Sequence, residues 1–196
     1  MRRINICFFI CFMLLTGFSS ITVASGTTEK DSTFDFKSIK KIYINPEISY
    51  ADGCEIPEFN MLYNMVIWND ESTRLKNYRI VDKEIIADAF IEAHILKWYS
   101  DNYWVDEKYY TTTGIERHVD EIRDKSHVEY IDIDAYTEGH YVYRDNFSIE
   151  YTVTNNEGKV IYKRTENRYS TDNKIHKEIE DSIENFYKDF NKLAKD

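Results

Sequence analysis

The hydrophobic pattern changes period several times along the chain, and each change predicts an element. The clearest stretch is 147–170, where Phe147, Ile149, Tyr151 and Val153 alternate with Ser148, Glu150, Thr152 and Thr154. That two-residue period marks a strand with one dry and one wet face. Asn155-Asn156-Glu157-Gly158 follows, with Asn at the first position of a type I turn and Gly where a left-handed residue closes a bulged loop. Setting Thr154 against Lys159 puts Val153 opposite Val160, Tyr151 opposite Tyr162 and Glu150 opposite Lys163. Like then faces like and opposite charges meet, whereas a slip of one residue would turn the apolar side chains outward.

Other segments give shorter signals. Residues 40–44 read as an opening strand with Ile42 and Ile44 on one face, ended by Asn45-Pro46. Residues 47–56 form a loop, and Pro57 suits the start of a helix. From 58 to 76 the residues Met61, Met65, Trp68 and Leu75, with Leu62 beside them, fall on one helical face, interrupted at 69–72; a strand over 61–68 is the alternative. Residues 78–81 read as a strand, 82–88 as a turn of helix, and 89–99 as a strand alternating Ala89, Ile91, Ala93 and Ile95 with Phe90, Glu92, His94 and Leu96. Segments 103–113 and 128–143 are β-rich, with 116–125 a charged connector suited to one short helix. In 172–196, Ile175, Ile179, Ile183, Phe186, Phe190 and Leu193 make a stripe at helical spacing, with Lys177/Asp181 and Glu184/Lys188 as opposite charges four apart.

These elements predict an α+β fold of the α/β-sandwich kind. It has a mixed, mainly antiparallel sheet and two main helices, the C-terminal amphipathic helix packed on one face. Residues 34–196 form the domain, with a β-rich excursion at 100–146 that lengthens the sheet or folds over its edge.

The amino terminus adds a compartment. Arg2 and Arg3, the apolar run 6–15 and the small residues Val23-Ala24-Ser25 read as a secretory signal peptide over 1–25, with an uncleaved anchor as the alternative. No cysteine stands where a lipoprotein signal needs one. Residues 26–33, polar and without period, are expected to be a flexible leader. The mature protein is thus expected to be exported, periplasmic or extracellular, without a membrane span.

The chain of 196 residues carries 25 basic and 35 acidic side chains; cleavage removes two arginines and no acids, leaving 23 against 35 and a net charge of −12. Nucleic acid is therefore a poor partner, since its binding draws on clustered Lys and Arg. Cys7 and Cys11 leave with the signal, so Cys54 is the one remaining thiol. It could pair between chains, but a partly buried, inert thiol is the favoured reading.

Catalytic motifs are not found. The chain contains no G-x-S-x-G, G-x-G-x-x-G, Walker A or H-E-x-x-H pattern, and with Cys54 alone thiolate zinc sites of the structural type are also excluded. The best metal candidates are His118, Asp120, His127, Asp132, Asp134 and His140. Their spacing follows no known ligand pattern, and Asp132 and Asp134 alternate with Ile131, Ile133 and Ala135 as on a solvated strand face, so no metal or cofactor is expected. Asp132 and Glu138 are the one carboxylate pair to consider for glycoside hydrolysis. Asn146-Phe147-Ser148 is a formal glycosylation sequon, but one that opens a strand.

Aromatic residues are more informative. Trp98, Tyr99, Tyr103, Trp104, Tyr109, Tyr110, Tyr136, Tyr141 and Tyr143 crowd the excursion. Tyr is a good strand former that fills half-buried sheets. As a group, however, these amphipathic rings mark a contact surface, with Trp98, Tyr103, Trp104, Tyr109, Tyr110 and Tyr141 as candidate binding residues.

The element order resembles the small exported α/β domains of bacterial envelope proteins, such as the TolB amino-terminal domain, the curli-export lipoprotein core and exported domains of unknown function. The likeness rests on KKIYINP at 40–46, LKNYRIVD at 75–82, ADAFI at 87–91 and NNEGKV at 155–160. It implies a non-enzymatic assembly or interaction module that binds an envelope protein or itself. Two features depart from it: there is no lipid-anchor cysteine, and 100–146 is longer than a minimal version needs. A carbohydrate or cell-wall binding domain using the same rings is the second reading, and a metal-assisted hydrolase built on 118–140 is the third.

Overall fold

The computed structural model describes residues 25–120, 125–171 and 174–195. The segment expected to be a signal peptide lies outside them up to residue 24. The strands are β1 Ser25–Lys30, β2 Lys41–Tyr50, β3 Arg79–Val81, β4 Ala89–Val105, β5 Lys108–Asp120, β6 Lys125–Thr137, β7 His140–Asn155 and β8 Val160–Ser170; the helices are α1 Glu58–Glu71 and α2 Ile175–Leu193. Six strands form one sheet in the order β1-β8-β7-β4-β2-β3, while β5 and β6 pair only with each other. Among the described residues only β2 pairs in parallel, with β3 and β4; the remaining pairs of this sheet are antiparallel. The sheet is thus mixed and mainly antiparallel, as its pattern predicts.

Both helices lie over the same face. Trp68 of α1, with its ring fully buried, stacks on Tyr151 of β7 and on Phe186 of α2, and Tyr151 and Phe186 lie nearly parallel at 4.3 Å between centroids. Ile91, Ala93, Ile95, Ile149 and Val153 form the floor beneath them, and Ile179, Ile183 and Phe190 of the predicted stripe face it. Rings of this size carry most of the burial free energy, at roughly 25 cal/mol per Å² of apolar surface. The Trp68 indole also donates to the Asn45 carbonyl at 2.7 Å, fixing α1 to the strand that precedes it.

A polar network lies beneath α2. The Tyr151 hydroxyl is 2.8 Å from Ser182 Oγ, which donates to Glu166 Oε2 at 2.9 Å. Arg168 bonds the same carboxylate at 2.7 Å and reaches Glu178 at 3.4 Å, while Arg164 joins Glu166 to Asp189. Buried charges are tolerable only when paired in this way, and the pairing holds α2 in one register on β8.

Several expectations need correction. Residues 26–33 are not a loose leader: Ser25–Lys30 adds to the edge of β8, from Ser25 opposite Asn167 to Lys30 opposite Tyr162. Its side chains are all exposed, so the strand forms through its main chain and has no hydrophobic period to read. The hairpin is shifted by two residues: Val153 faces Tyr162 and Tyr151 faces Arg164. The turn has Gly158 N–H bonded to the Asn155 carbonyl and Gly158 at φ 79, but it closes with Thr154 on Val160 rather than Lys159, one step, and a bulge at Ile161 adds the second. Because the shift is even, the buried face is preserved, and Glu150 still meets Lys163 at 3.0 Å along the diagonal.

Segment 58–71 is the predicted helix rather than the alternative strand, and it ends five residues early in a 3₁₀ turn. Its buried positions are Asn64, Trp68 and Glu71, whereas Leu62 points to solvent and Met61 and Met65 are half-buried. The connector 116–125 is not a helix where it is described, since β5 runs to Asp120 and β6 starts at Lys125. Cys54 is half-buried with its thiol toward the Ile95 carbonyl. Among the described residues no helix is long and apolar enough to cross a membrane.

Two outcomes test this packing. Tyr151→Asp places a charge at the centre of the ring stack and should give a protein without cooperative unfolding, whereas Tyr151→Phe should stay folded and lose about 1 kcal/mol in urea denaturation. Burial raises the phenol of Tyr78 to about 12 and pushes those of Tyr151, Tyr162 and Tyr187 upward as well. Their contribution is complete below the ordinary value of 10.0 and is lost as pH climbs through the raised values. Unfolding should therefore accelerate above pH 10 and coincide with tyrosinate absorbance; phenols titrating around pH 10 in a protein still folded would contradict the placement.

Candidate functional site

The excursion is one long ribbon. β4 loses its β2 neighbour at Ile95, opposite Tyr50, and β7 loses β8 at Asp145, opposite Ser170. The β4–β7 ladder nevertheless continues to Val105 opposite His140, and β5 and β6 then extend it with strands of 13 residues each. At about 3.3 Å per residue those two strands alone span ~43 Å. Among the described residues neither β5 nor β6 has a third strand beside it.

Arg144 ties the ribbon to the body. Its guanidinium bonds both oxygens of Asp101, at 2.9 and 2.6 Å, and lies over the rings of Tyr103 and Tyr169 at 5.5 and 5.4 Å. That fork-on-carboxylate bond holds the Asp101 pKa below its ordinary value and raises that of Arg144. Asn146 adds a bond to Asp101 at 3.2 Å and another to the Arg144 carbonyl, so the sequon amide is occupied within the fold.

Beyond this anchor the rings emerge in pairs. Trp104 meets Tyr141 edge to face at 5.0 Å, and Tyr109 meets Tyr136 at 4.6 Å. The Trp104 indole lies against the backbone of Gly139, where a Cβ would come within 2.4 Å of it, so only glycine admits this approach. Tyr136 donates to Glu107 at 2.9 Å, a bond that keeps its phenol protonated to higher pH. Tyr109 and Tyr143 are each 73% exposed and Trp104 53%, with Tyr103, Tyr110 and Tyr141 also exposed. Trp98 does not belong to this surface. It is 4% exposed, packs on Phe147 within the core cluster, and accepts the Glu55 amide at its carbonyl, so the loop before α1 lies beside the ladder at that point.

Other chemistry is not gathered. His118 and His127 are register partners toward the far end of the ribbon, Asp120 pairs with Lys125, and Asp132 and Asp134 pair with Thr113 and Thr111. His140 lies at the other end, opposite Val105, with its ring bonded to the Glu138 carbonyl. Five register steps of ~3.3 Å separate His118 from Thr113, so the backbone strings these residues out rather than converging them. Among the described residues no group of three His, Cys, Asp or Glu is placed to hold a metal. Asp132 lies within β6 and Glu138 beyond its end, so the two carboxylates do not face each other across a cleft. Two recesses, of about 520 and 380 Å³, open on the body beside Phe34 and beside Asn155, away from the rings. The paired rings are inclined at 71° and 33°, so they do not form a flat floor of the kind a sugar ring stacks on.

The sequence indicates the aromatic segment but not its anchor. Asp101 and Arg144 are 43 residues apart, and nothing local pairs them.

No family model matches the chain, and no curated protein matches it. Among solved structures it is similar to two crystal forms of a PelC dodecamer from Paraburkholderia phytofirmans, at 8% identity over 86% of this chain and 97% of that one, with TM-scores of 0.48 and 0.47. A DUF4136 family protein from Bacteroides thetaiotaomicron matches at 11% identity over 84% and 97%, TM-score 0.40. A PDZ domain protein from Parabacteroides distasonis matches at 13% over 84% and 35%, TM-score 0.36. Likeness of this degree leaves the role of the chain to its own geometry.

Replacing Gly139 by Val should expel the Trp104 indole from the ribbon while leaving the body intact. The expected result is a red-shifted and more quenchable tryptophan emission with an unchanged melting temperature. A fall of more than a few degrees would mean that the ribbon and the body unfold as one unit.

Proposed function

We propose that this protein is an exported, non-enzymatic interaction module that grips a protein partner through its aromatic ribbon, the two-layer body serving as the base. The observation that carries this reading is the row of exposed ring pairs, Trp104 with Tyr141 and Tyr109 with Tyr136, on strands that have left the sheet. Tyr and Trp offer large contact areas at low entropic cost and dominate protein interfaces. The signal-like start of the chain and its resemblance to small envelope domains agree with an exported role. The inclined rings favour a protein contact over the carbohydrate reading.

Val105 and His140 face each other, so residues 106–139 can be replaced by Asn-Gly in a two-residue turn. The shortened protein should keep its fold and lose its partner in cell-based crosslinking, and Tyr109→Ala or Tyr143→Ala in the full chain should each weaken binding about tenfold or more. Capture of the same partner by the shortened protein would refute the proposal. Trp104-dependent sedimentation with cell-wall polymer would replace it with the carbohydrate reading.

A further inference from the structure

The body and the ribbon treat their strand edges in opposite ways. β3 closes one edge with only three residues, and beyond it the β2 carbonyls of Asn45 and Pro46 accept from Trp68 and Asn69. β1 closes the other edge with six residues that include Glu29 and Lys30. Short, charged or covered edges of this kind resist pairing with another chain. β5 and β6 are neither short nor covered by another described element: each is 13 residues long, their register is unbroken, neither contains proline, and the charges of β5 stand only toward its two ends.

Of the two bare edges, β5 is the one suited to pairing. Residues 109–115 (YYTTTGI) are uncharged and strongly β-forming. β6 carries Glu129, Asp132 and Asp134 with no lysine or arginine between Lys125 and its end, so two copies of it would bring acids together. Laid antiparallel on itself about Thr112, the β5 sequence is complementary along its length. Lys108 falls opposite Glu116, Tyr109 opposite Ile115, Tyr110 opposite Gly114 and Thr111 opposite Thr113; one step further, Glu107 falls opposite Arg117. Opposite charges, Thr–Thr pairs and an aromatic over a glycine are favourable cross-strand neighbours, and a two-fold axis makes each occur twice. A two-stranded ribbon is marginal in water, while four strands are not.

We propose that two copies of this chain join their ribbons β5 to β5, antiparallel and centred on Thr112, into a continuous four-stranded sheet. This rests on the ribbon being the contact surface and names its partner as a second copy.

The purified mature chain should sediment as a concentration-dependent dimer. In a Cys54→Ser background, Thr112→Cys should form an intermolecular disulfide on mild oxidation and Tyr109→Cys should not, because in this register two copies of residue 109 stand ~20 Å apart, beyond disulfide reach. Lys108→Glu and Glu116→Lys should each weaken dimerisation about 3- to 30-fold, and the double exchange should restore it. Circular dichroism of each variant controls for folding. A monomer at tens of micromolar, crosslinking indifferent to position, or a double exchange no better than the singles overturns the inference. A monomer whose ribbon still captures a different protein sinks the inference and spares the reading beneath it; a monomer without ribbon-dependent capture sinks both.

Discussion

The antiparallel ladder between β4 and β7 is the constraint on which the rest of the molecule depends. Its inner half, from Ala89 opposite Asn155 to Ile95 opposite Ile149, is locked by the buried residues Ile91, Ala93, Ile149, Tyr151 and Val153. One bulge after Ile95 then resets the strand so that Trp98 turns inward against Phe147. From there the outer half inherits a register it could not choose for itself. Trp104 meets Tyr141, and Asp101 meets Arg144, because the core has already decided which residues face each other.

The same ladder divides the labour between the two halves. In the body, rings from α1, β7 and α2 stack on one another, and Glu166, Arg168, Ser182 and Tyr151 satisfy each other beneath α2. Removing a member of such a network leaves a buried charge or hydroxyl without a partner, so the network restricts α2 to one seating. In the ribbon the rings are still paired, but no second layer among the described residues covers them. The area that would be core in the body is therefore left available for contact.

Strand edges show the same division. Every device that closes the body sheet draws on a neighbouring element: α1 supplies the Trp68 and Asn69 donors, and β1 supplies a strand. The ribbon has left those neighbours behind, which is why its edges are open.

The sequence by itself determined the buried face of β7, the stripe of α2, the Asn155–Gly158 turn and the aromatic character of the excursion, because each of these is a local period or a local backbone requirement. Only the tertiary structure decided the rest. β1 is a strand because β8 offers it an edge, a main-chain attraction that leaves no hydrophobic pattern in Ser25–Lys30. The hairpin register moved by two because the turn closes with Thr154 on Val160 and Ile161 is then bulged, and no pairing of like side chains within the hairpin contains either step. Trp98 and Trp104 stand six residues apart in one strand with similar local sequence, yet one is core and the other is surface. What separates them is the reach of the core cluster, which takes in Trp98 and not Trp104, a long-range fact of packing that no window on the sequence holds.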